Sequence, residues 1–245
     1  MDISYNNEVW AIIPARGGSK SIPLKNMAEL CGQPLIKYVI EAGKKSEHIN
    51  RMICSTDHDR IASFCKGEGV EVMPRPDILC GDSVAVSDVI IDLLKTIAGN
   101  EGALADIVVL LEPTYPFILP EHIDDCVSLL KADPEADSVQ SVTEVQHNNH
   151  AYNQRSINEG KVDFVFKKER LKCFNKQLKP KYFIHGNLFV FRARTIIETG
   201  NIYGEKSLPY QVPRIYSFDV DGPQDLEIAQ CLLKYGLISK AGSFF

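Results

Sequence analysis

Short apolar, β-branched runs recur along this chain with longer helical patterns between them, an alternation that few folds satisfy. Val9–Pro14 (VWAIIP), Arg51–Thr56 (RMICST), Glu71–Met73, Ile107–Leu111 (IVVLL), Ser138–Val142, Leu188–Phe191 and Ile215–Val220 read as strands. Between the first two, Pro34–Lys44 sets Leu35, Ile36, Val39 and Ile40 on one helical face. Ile61, Phe64 and Cys65 mark another helix, and Ser87–Ala98 carries Val89, Ile90, Leu93, Leu94 and Ile97 at core spacing. Further helices are read over Pro120–Ala132 and after Gly222-Pro223, where proline suits the first helical position. The pattern predicts an α/β fold, a mostly parallel sheet covered by helices on both faces. A length of 245 residues fits one domain, 1–245.

The alternation breaks over residues 147–187. Lys161, Lys167, Lys168, Arg170, Lys172, Lys176, Lys179 and Lys181 fall there without sustained period. A structureless loop that long is improbable in a compact domain, so the stretch is expected to be an inserted arm of β-hairpins. Val162–Phe166 is its best strand. His147 and His150, with no Cys or carboxylate pattern beside them, read as solvated loop.

Charge and cysteine usage narrow the partners. A net charge of −5 gives no global field for nucleic acid or an anionic membrane. Seven cysteines, odd in number and never in C-x-x-C spacing, argue against a disulfide framework or zinc site and for a reducing cytoplasm. The polar start, Met1–Val9, lacks the apolar stretch of a signal peptide. No apolar run approaches the roughly 20 residues that span a bilayer.

The strongest chemical signal follows the first strand: Ile13-Pro14-Ala15-Arg16-Gly17-Gly18-Ser19-Lys20, then Ser21-Ile22-Pro23-Leu24-Lys25-Asn26. Open α/β sheets bind ligands at such strand ends. Gly17 and Gly18 let the backbone approach a phosphate and aim its N–H groups at it. Arg16, Lys20 and Lys25 supply cations suited to a triphosphate. The string is neither a Walker A loop nor G-x-G-x-x-G. Near the other end, Asp219 and Asp221 are two apart in an expected strand and share a face, so both can hold one hard cation such as Mg²⁺. Taken alone, Asp221 also suits capping of the following helix.

Residues Ala15–Asn26 resemble the nucleotide-binding signature of the acylneuraminate cytidylyltransferases, or CMP-sialic acid synthetases, with their legionaminate, pseudaminate and 3-deoxy-octulosonate relatives. The resemblance continues in Arg75-Pro76-Asp77-Ile78-Leu79-Cys80-Gly81-Asp82-Ser83, where it implies that Arg75 approaches the nucleotide. It continues in Leu111-Glu112-Pro113-Thr114-Tyr115-Pro116-Phe117-Ile118, which is similar to the family's Leu-Gln-Pro-Thr-Ser-Pro-Leu-Arg. Here Glu112 stands for the Gln near the acceptor sugar and Ile118 for the Arg, a change expected to alter which acidic sugar is tolerated. His185-Gly186-Asn187-Leu188-Phe189 is loosely similar to Asn-Gly-Ala-Ile-Tyr, which lines the sugar site.

The resemblance implies a nucleotide-diphospho-sugar transferase fold and Mg²⁺-dependent transfer of CMP from CTP to an acidic keto sugar, with release of pyrophosphate. It implies metal binding by Asp219 and Asp221, and catalytic roles for these two with Arg16 and Lys25. It implies nucleotide contacts from Ala15, Arg16, Gly17, Gly18, Ser19, Lys20, Lys25, Asn26 and Arg75. Acceptor contacts are implied for Glu112, Thr114, His185 and Gly186. It also implies a homodimer built through the arm. Two alternatives stay open at this point: a sugar nucleotidyltransferase using GTP or another sugar, and a nucleotide-binding dimer without catalysis.

Overall fold

A computed structural model describes residues 3–238 of the chain; the outermost ends of the expected 1–245 domain lie outside the described residues. Its elements run β1 (Ser4–Pro14), β2 (Glu29–Leu30), β3 (Gln33–Pro34), α1 (Leu35–Lys45), β4 (Arg51–Thr56), α2 (Asp59–Gly67) and β5 (Glu71–Pro74). Next come α3 (Val86–Glu101), β6 (Ala103–Leu110), α4 (Pro120–Ala132), β7 (Ser138–Glu144), β8 (Arg155–Asn158), β9 (Lys161–Phe164) and α5 (Lys167–Lys172). The chain ends through β10 (Phe183–Arg192), α6 (Ala193–Thr199), β11 (Ser207–Gln211) and α7 (Pro223–Lys234).

Seven strands form one sheet in the order β11-β7-β10-β6-β1-β4-β5. Only β10 runs against the others, pairing antiparallel with β6 and β7. Strand alternation explains the two-sided cover. Val9, Ala11 and Ile13 of β1 point into one core with α1, α2 and α4, through residues such as Ile40, Ile61 and Val127. Trp10 and Ile12 point into the other, against Ile90 and Leu94 of α3 and Ile196 of α6. A strand buried on both faces reads as a continuous apolar run, as Val9–Ile13 does. A third cluster (Ile22, Leu30, Leu35, Tyr38, Phe117, Val220 and Ala229) ties α7 to the loop after β1.

One expected strand is absent. Residues 214–217 form a 3₁₀ turn, and the segment to Asp221 pairs with no strand. Ile215, Tyr216, Phe218 and Val220 are apolar because they pack on the third cluster, not because they enter the sheet. The edge strand is instead β11, Ser207–Gln211, hidden in the sequence by Pro209; an edge strand tolerates proline because one side of it needs no ladder bonds.

The arm is partly as expected. β8 and β9 make a two-stranded hairpin separate from the main sheet, followed by the short α5. Its far boundary shifts, since residues 183–187 already belong to β10. His150 corrects the reading of a solvated loop: it is 4% exposed, stacks on Tyr182 at 4.7 Å and bonds the Pro180 carbonyl at 3.0 Å. The arm folds around that imidazole.

Candidate active site

β1 ends at Pro14, and Ala15 is pinned where its N–H meets the Ser55 carbonyl at 2.9 Å. Beyond it the chain cannot stay in the sheet and turns across the strand ends. Gly17 donates its N–H to Asp57 Oδ1 at 2.7 Å, and a Cβ on Gly17 would come within 2.6 Å of the His58 ring. Glycine is therefore required there by close approach. Gly18 faces open space. Asn26, almost fully buried, donates to the Arg16 carbonyl at 2.9 Å and closes the loop on itself.

The loop's cations are held by carboxylates. Arg16 Nη1 lies 2.7 Å from Asp82, and Lys20 Nζ lies 2.5 Å from the other oxygen of the same group. Lys20 and then Arg16 hold the Asp82 carboxyl below its usual range. Lys25 Nζ is 3.2 Å from Asp221. Ser19 lines the same cavity, of about 450 Å³, with Arg16, Lys20, Lys25, Arg75 and Glu112.

A polyphosphate entering this cavity meets two cations already paired with Asp82, and must replace that carboxylate. Asp82→Asn is expected to tighten inorganic tripolyphosphate by no more than about 5-fold, because exposed ion pairs contribute little. Calorimetric titration measures it; unchanged affinity would show that the pairs are not displaced.

Arg75 sits at the end of β5, 8% exposed. Its Nη2 donates to the Ser55 carbonyl at 3.1 Å while Nε is buried with no partner. Burial pulls its pKa down, against the opposing charge of Asp57. An inward guanidinium with a free donor suits a carbonyl or phosphate of a ligand.

Acidic groups gather at the cavity's Glu112. Burial, and then the charge of Asp219, pushes the Glu112 carboxyl up to about 7. Burial also raises Asp219, Asp221 adds to the effect, and Thr114 and Lys25 work against it. Asp219 Oδ1 is buried without a hydrogen-bond partner. A buried carboxylate oxygen left unsatisfied beside a second carboxylate has the donor chemistry of a hard-cation ligand. Among the described residues no group of three or more His, Cys, Asp or Glu is arranged for a metal. A cation here would take two carboxylates and complete its shell with water and phosphate, as Mg²⁺ does.

Asp221 does not cap α7. Asp225 does, accepting from the N–H groups of Asp221 at 3.1 Å and Gly222 at 2.8 Å. This leaves the Asp221 side chain free for Lys25. Ser21 Oγ donates to the Asp221 carbonyl at 2.5 Å, so the loop after β1 and the aspartate segment are joined directly.

The acceptor candidates divide. Thr114 belongs to the cavity, and its carbonyl accepts Val220 N–H at 2.8 Å. His185 stacks on Phe189 at 4.1 Å and meets the edge of Tyr115 at 5.2 Å. Burial pushes its pKa down to about 4, and both ring nitrogens lack partners, so it is a neutral imidazole. Gly186 is a packing glycine, where a Cβ would lie 2.6 Å from Ser141 Oγ and 2.9 Å from the Ser141 backbone. Ile118, 1% exposed, is part of the core. Sequence reading assigned no role to Asp57, Asp82, Tyr115 or Asn187; the polar Ser-Thr-Asp end of β4 was the one local signal for Asp57.

Comparison with known proteins gives the chain a family. The chain is 31% identical over 230 residues to CMP-N,N'-diacetyllegionaminic acid synthase of Legionella pneumophila, covering 92% of this chain and 96% of that protein. It is 30% identical to N-acylneuraminate cytidylyltransferase A of Danio rerio, over 96% of this chain and 53% of that protein. It is 29% identical to N-acylneuraminate cytidylyltransferase of Escherichia coli O18:K1:H7, over 91% and 51% respectively. The chain thus spans about half the length of these two acylneuraminate relatives. The fold is shared with CMP:2-keto-3-deoxy-manno-octonic acid synthetase solved with CTP, at a TM-score of 0.70 and 17% identity over 94% of this chain and 99% of that one. Residues 10–235 match the cytidylyltransferase family, and the chain belongs to it.

Proposed function

We propose that this protein transfers CMP from CTP to the anomeric hydroxyl of an acidic keto sugar of the sialic-acid type, releasing pyrophosphate with Mg²⁺. The observation that carries the reading is one cavity lined by Arg16, Lys20, Lys25, Glu112 and Thr114, with Asp219, whose buried Oδ1 is unpartnered, next to the last two. The names of the acylneuraminate and legionaminate relatives supply the acceptor class.

In this reading the hydroxyl oxygen forms a bond to the α-phosphorus and gives up its proton to solvent, and the bond to the β-phosphate oxygen breaks as pyrophosphate leaves. Arg16 and Lys20 exchange Asp82 for the phosphates, and their positive charge stabilises the negative charge that develops on the leaving pyrophosphate. Lys25 stands between the loop and Asp221 and fixes the distance between them. Asp219 and Asp221 would hold Mg²⁺, which supplies charge neutralisation and polarisation at the phosphate when bound. Arg75, which lines the same cavity, donates to the nucleotide. Glu112, Thr114 and His185 border the acceptor, and Gly186 shapes that wall by packing.

The chain works as a homodimer in this proposal, with the arm as its contact. Ile157, Val162, Leu171, Phe174 and Leu178 are all more than half exposed on it, large apolar side chains of the kind that mark interaction sites. Free cysteines throughout the described residues suit a reducing cytoplasm. Among those residues no helix is long and apolar enough to cross a membrane.

The test incubates the protein with Mg²⁺, each nucleoside triphosphate, and a panel of eight- and nine-carbon keto acid sugars, following pyrophosphate. Release requiring CTP, metal and one acidic sugar is expected. Release with GTP in its place would overturn the base assignment. Silence across the panel, with CTP bound, would overturn the catalytic reading.

A further inference from the structure

Both aspartates of the site stand on a segment that no strand pairing holds. β11 ends at Gln211, and residues 213–221 then run on without a strand partner to Asp221, whose carbonyl Ser21 Oγ holds. At the far end Val220 N–H reaches the Thr114 carbonyl at 2.8 Å. At the near end one side chain grips the backbone: Asn187 Nδ2 donates to the Tyr216 carbonyl at 3.0 Å.

Asn187 is fully buried, and its amide is held on every side. Nδ2 also lies 3.1 Å from His122 Nδ1, and Oδ1 lies 3.1 Å from Ser141 Oγ. Ser141 Oγ accepts the N–H groups of Asn187 at 2.7 Å and Leu188 at 2.8 Å. Burial keeps His122 neutral, with a pKa pushed down to about 4, so Nδ1 can accept. A register shift in β10 between His185 and Phe189 produces this geometry, and an irregularity of that kind re-aims side chains. Gly186 permits it, since a Cβ there would strike Ser141.

We propose that Asn187 is a positioning residue, clamping the Tyr216 carbonyl to β10 and so setting where Asp219 and Asp221 stand against the phosphate loop. A satisfied buried network of this kind has one low-energy arrangement, because each broken bond strands a desolvated polar group. The inference rests on the reading of Asp219 and Asp221 as the metal-holding pair.

The test compares wild type, Asn187→Ala, Asn187→Asp and Asp219→Ala. Mn²⁺ binding in the presence of CTP is read by electron paramagnetic resonance of free Mn²⁺, and metal-free CTP binding by calorimetry. The Asp variant keeps the oxygen facing Ser141 but turns the donor facing Tyr216 into a second acceptor. Both Asn187 variants are expected to lose Mn²⁺ affinity by about 10–100-fold, the scale seen when groups that orient metal ligands are removed. Metal-free CTP binding should be unchanged. Wild-type Mn²⁺ affinity in both folded Asn187 variants, with loss in Asp219→Ala, would overturn the positioning role and leave the metal reading standing. Equal Mn²⁺ binding by wild type and Asp219→Ala would overturn the metal reading and the inference together. Should neither Asn187 variant fold, hydrogen exchange on the wild type decides. The Tyr216 and Val220 amides are expected to exchange as slowly as those of β10; exchange at the rate of the β8–β9 hairpin would overturn the clamp.

Discussion

Asp219→Ala is expected to lower turnover at least about 100-fold, the scale of removing one preorganised charge-stabilising group, while the protein melts no lower than wild type. The two effects have opposite signs for one reason. Burial and the neighbouring Asp221 disfavour the ionised Asp219 carboxylate in the folded protein, and its Oδ1 finds no partner. Such a group opposes folding and is retained for what it binds. Asp221→Ala should also cost turnover, by freeing Lys25 from its 3.2 Å pair as well as removing a ligand. Steady-state kinetics with a thermal melt on each variant checks this. Near-normal turnover in both would sink the metal assignment, and a melt well below wild type in Asp219→Ala would sink the account of its burial.

The second large effect concerns stability and pH. The Glu112 carboxyl has a pKa of about 7 in the folded protein, raised by burial and then by Asp219, against an ordinary value of 4.5. Between those values the folded state binds a proton that the unfolded state has released, so stability falls as pH rises through that window. Below about pH 4 both states are protonated and the penalty is absent. Above pH 7 it is complete, about 3 kcal/mol at most for that shift. Glu112→Gln keeps the shape and removes the charge. It is expected to raise the melting temperature at pH 8, without divalent cations, and to leave it unchanged near pH 4. An equal gain at both values would show that packing, not ionisation, is responsible. A divalent cation on Asp219 should shrink the gain at pH 8, which makes the melt a readout of occupancy as well.

The alternation of apolar strands and amphipathic helices was legible because burial imposes it locally: Val9–Ile13 must be apolar on both faces, and Leu35–Ile40 on one. The cation-rich loop was legible for a similar reason. Gly17, Arg16, Lys20 and Lys25 lie within ten residues, and their chemistry shows in their types. Pro209 hid β11, because an edge strand and a turn both accept proline. The apolar spacing of Ile215–Val220 suggested a strand because packing on α7's cluster demands the same residues as packing in a sheet. His150 gave no sign of its burial, since the Tyr182 ring that covers it lies 32 positions away.

What the sequence determined by itself is thus the class of fold, the cation-rich loop and the pair of aspartates, all properties of neighbouring residues. What only the tertiary structure decided is their electrical and mechanical state. Asp82 reaches Arg16 across 66 positions, and Lys25 reaches Asp221 across 196. Asn187 holds the Tyr216 carbonyl, and burial leaves Glu112 and Asp219 as neighbouring raised carboxyls. Desolvation and Coulomb forces act through space, so their strength depends on which distant segments the fold brings together.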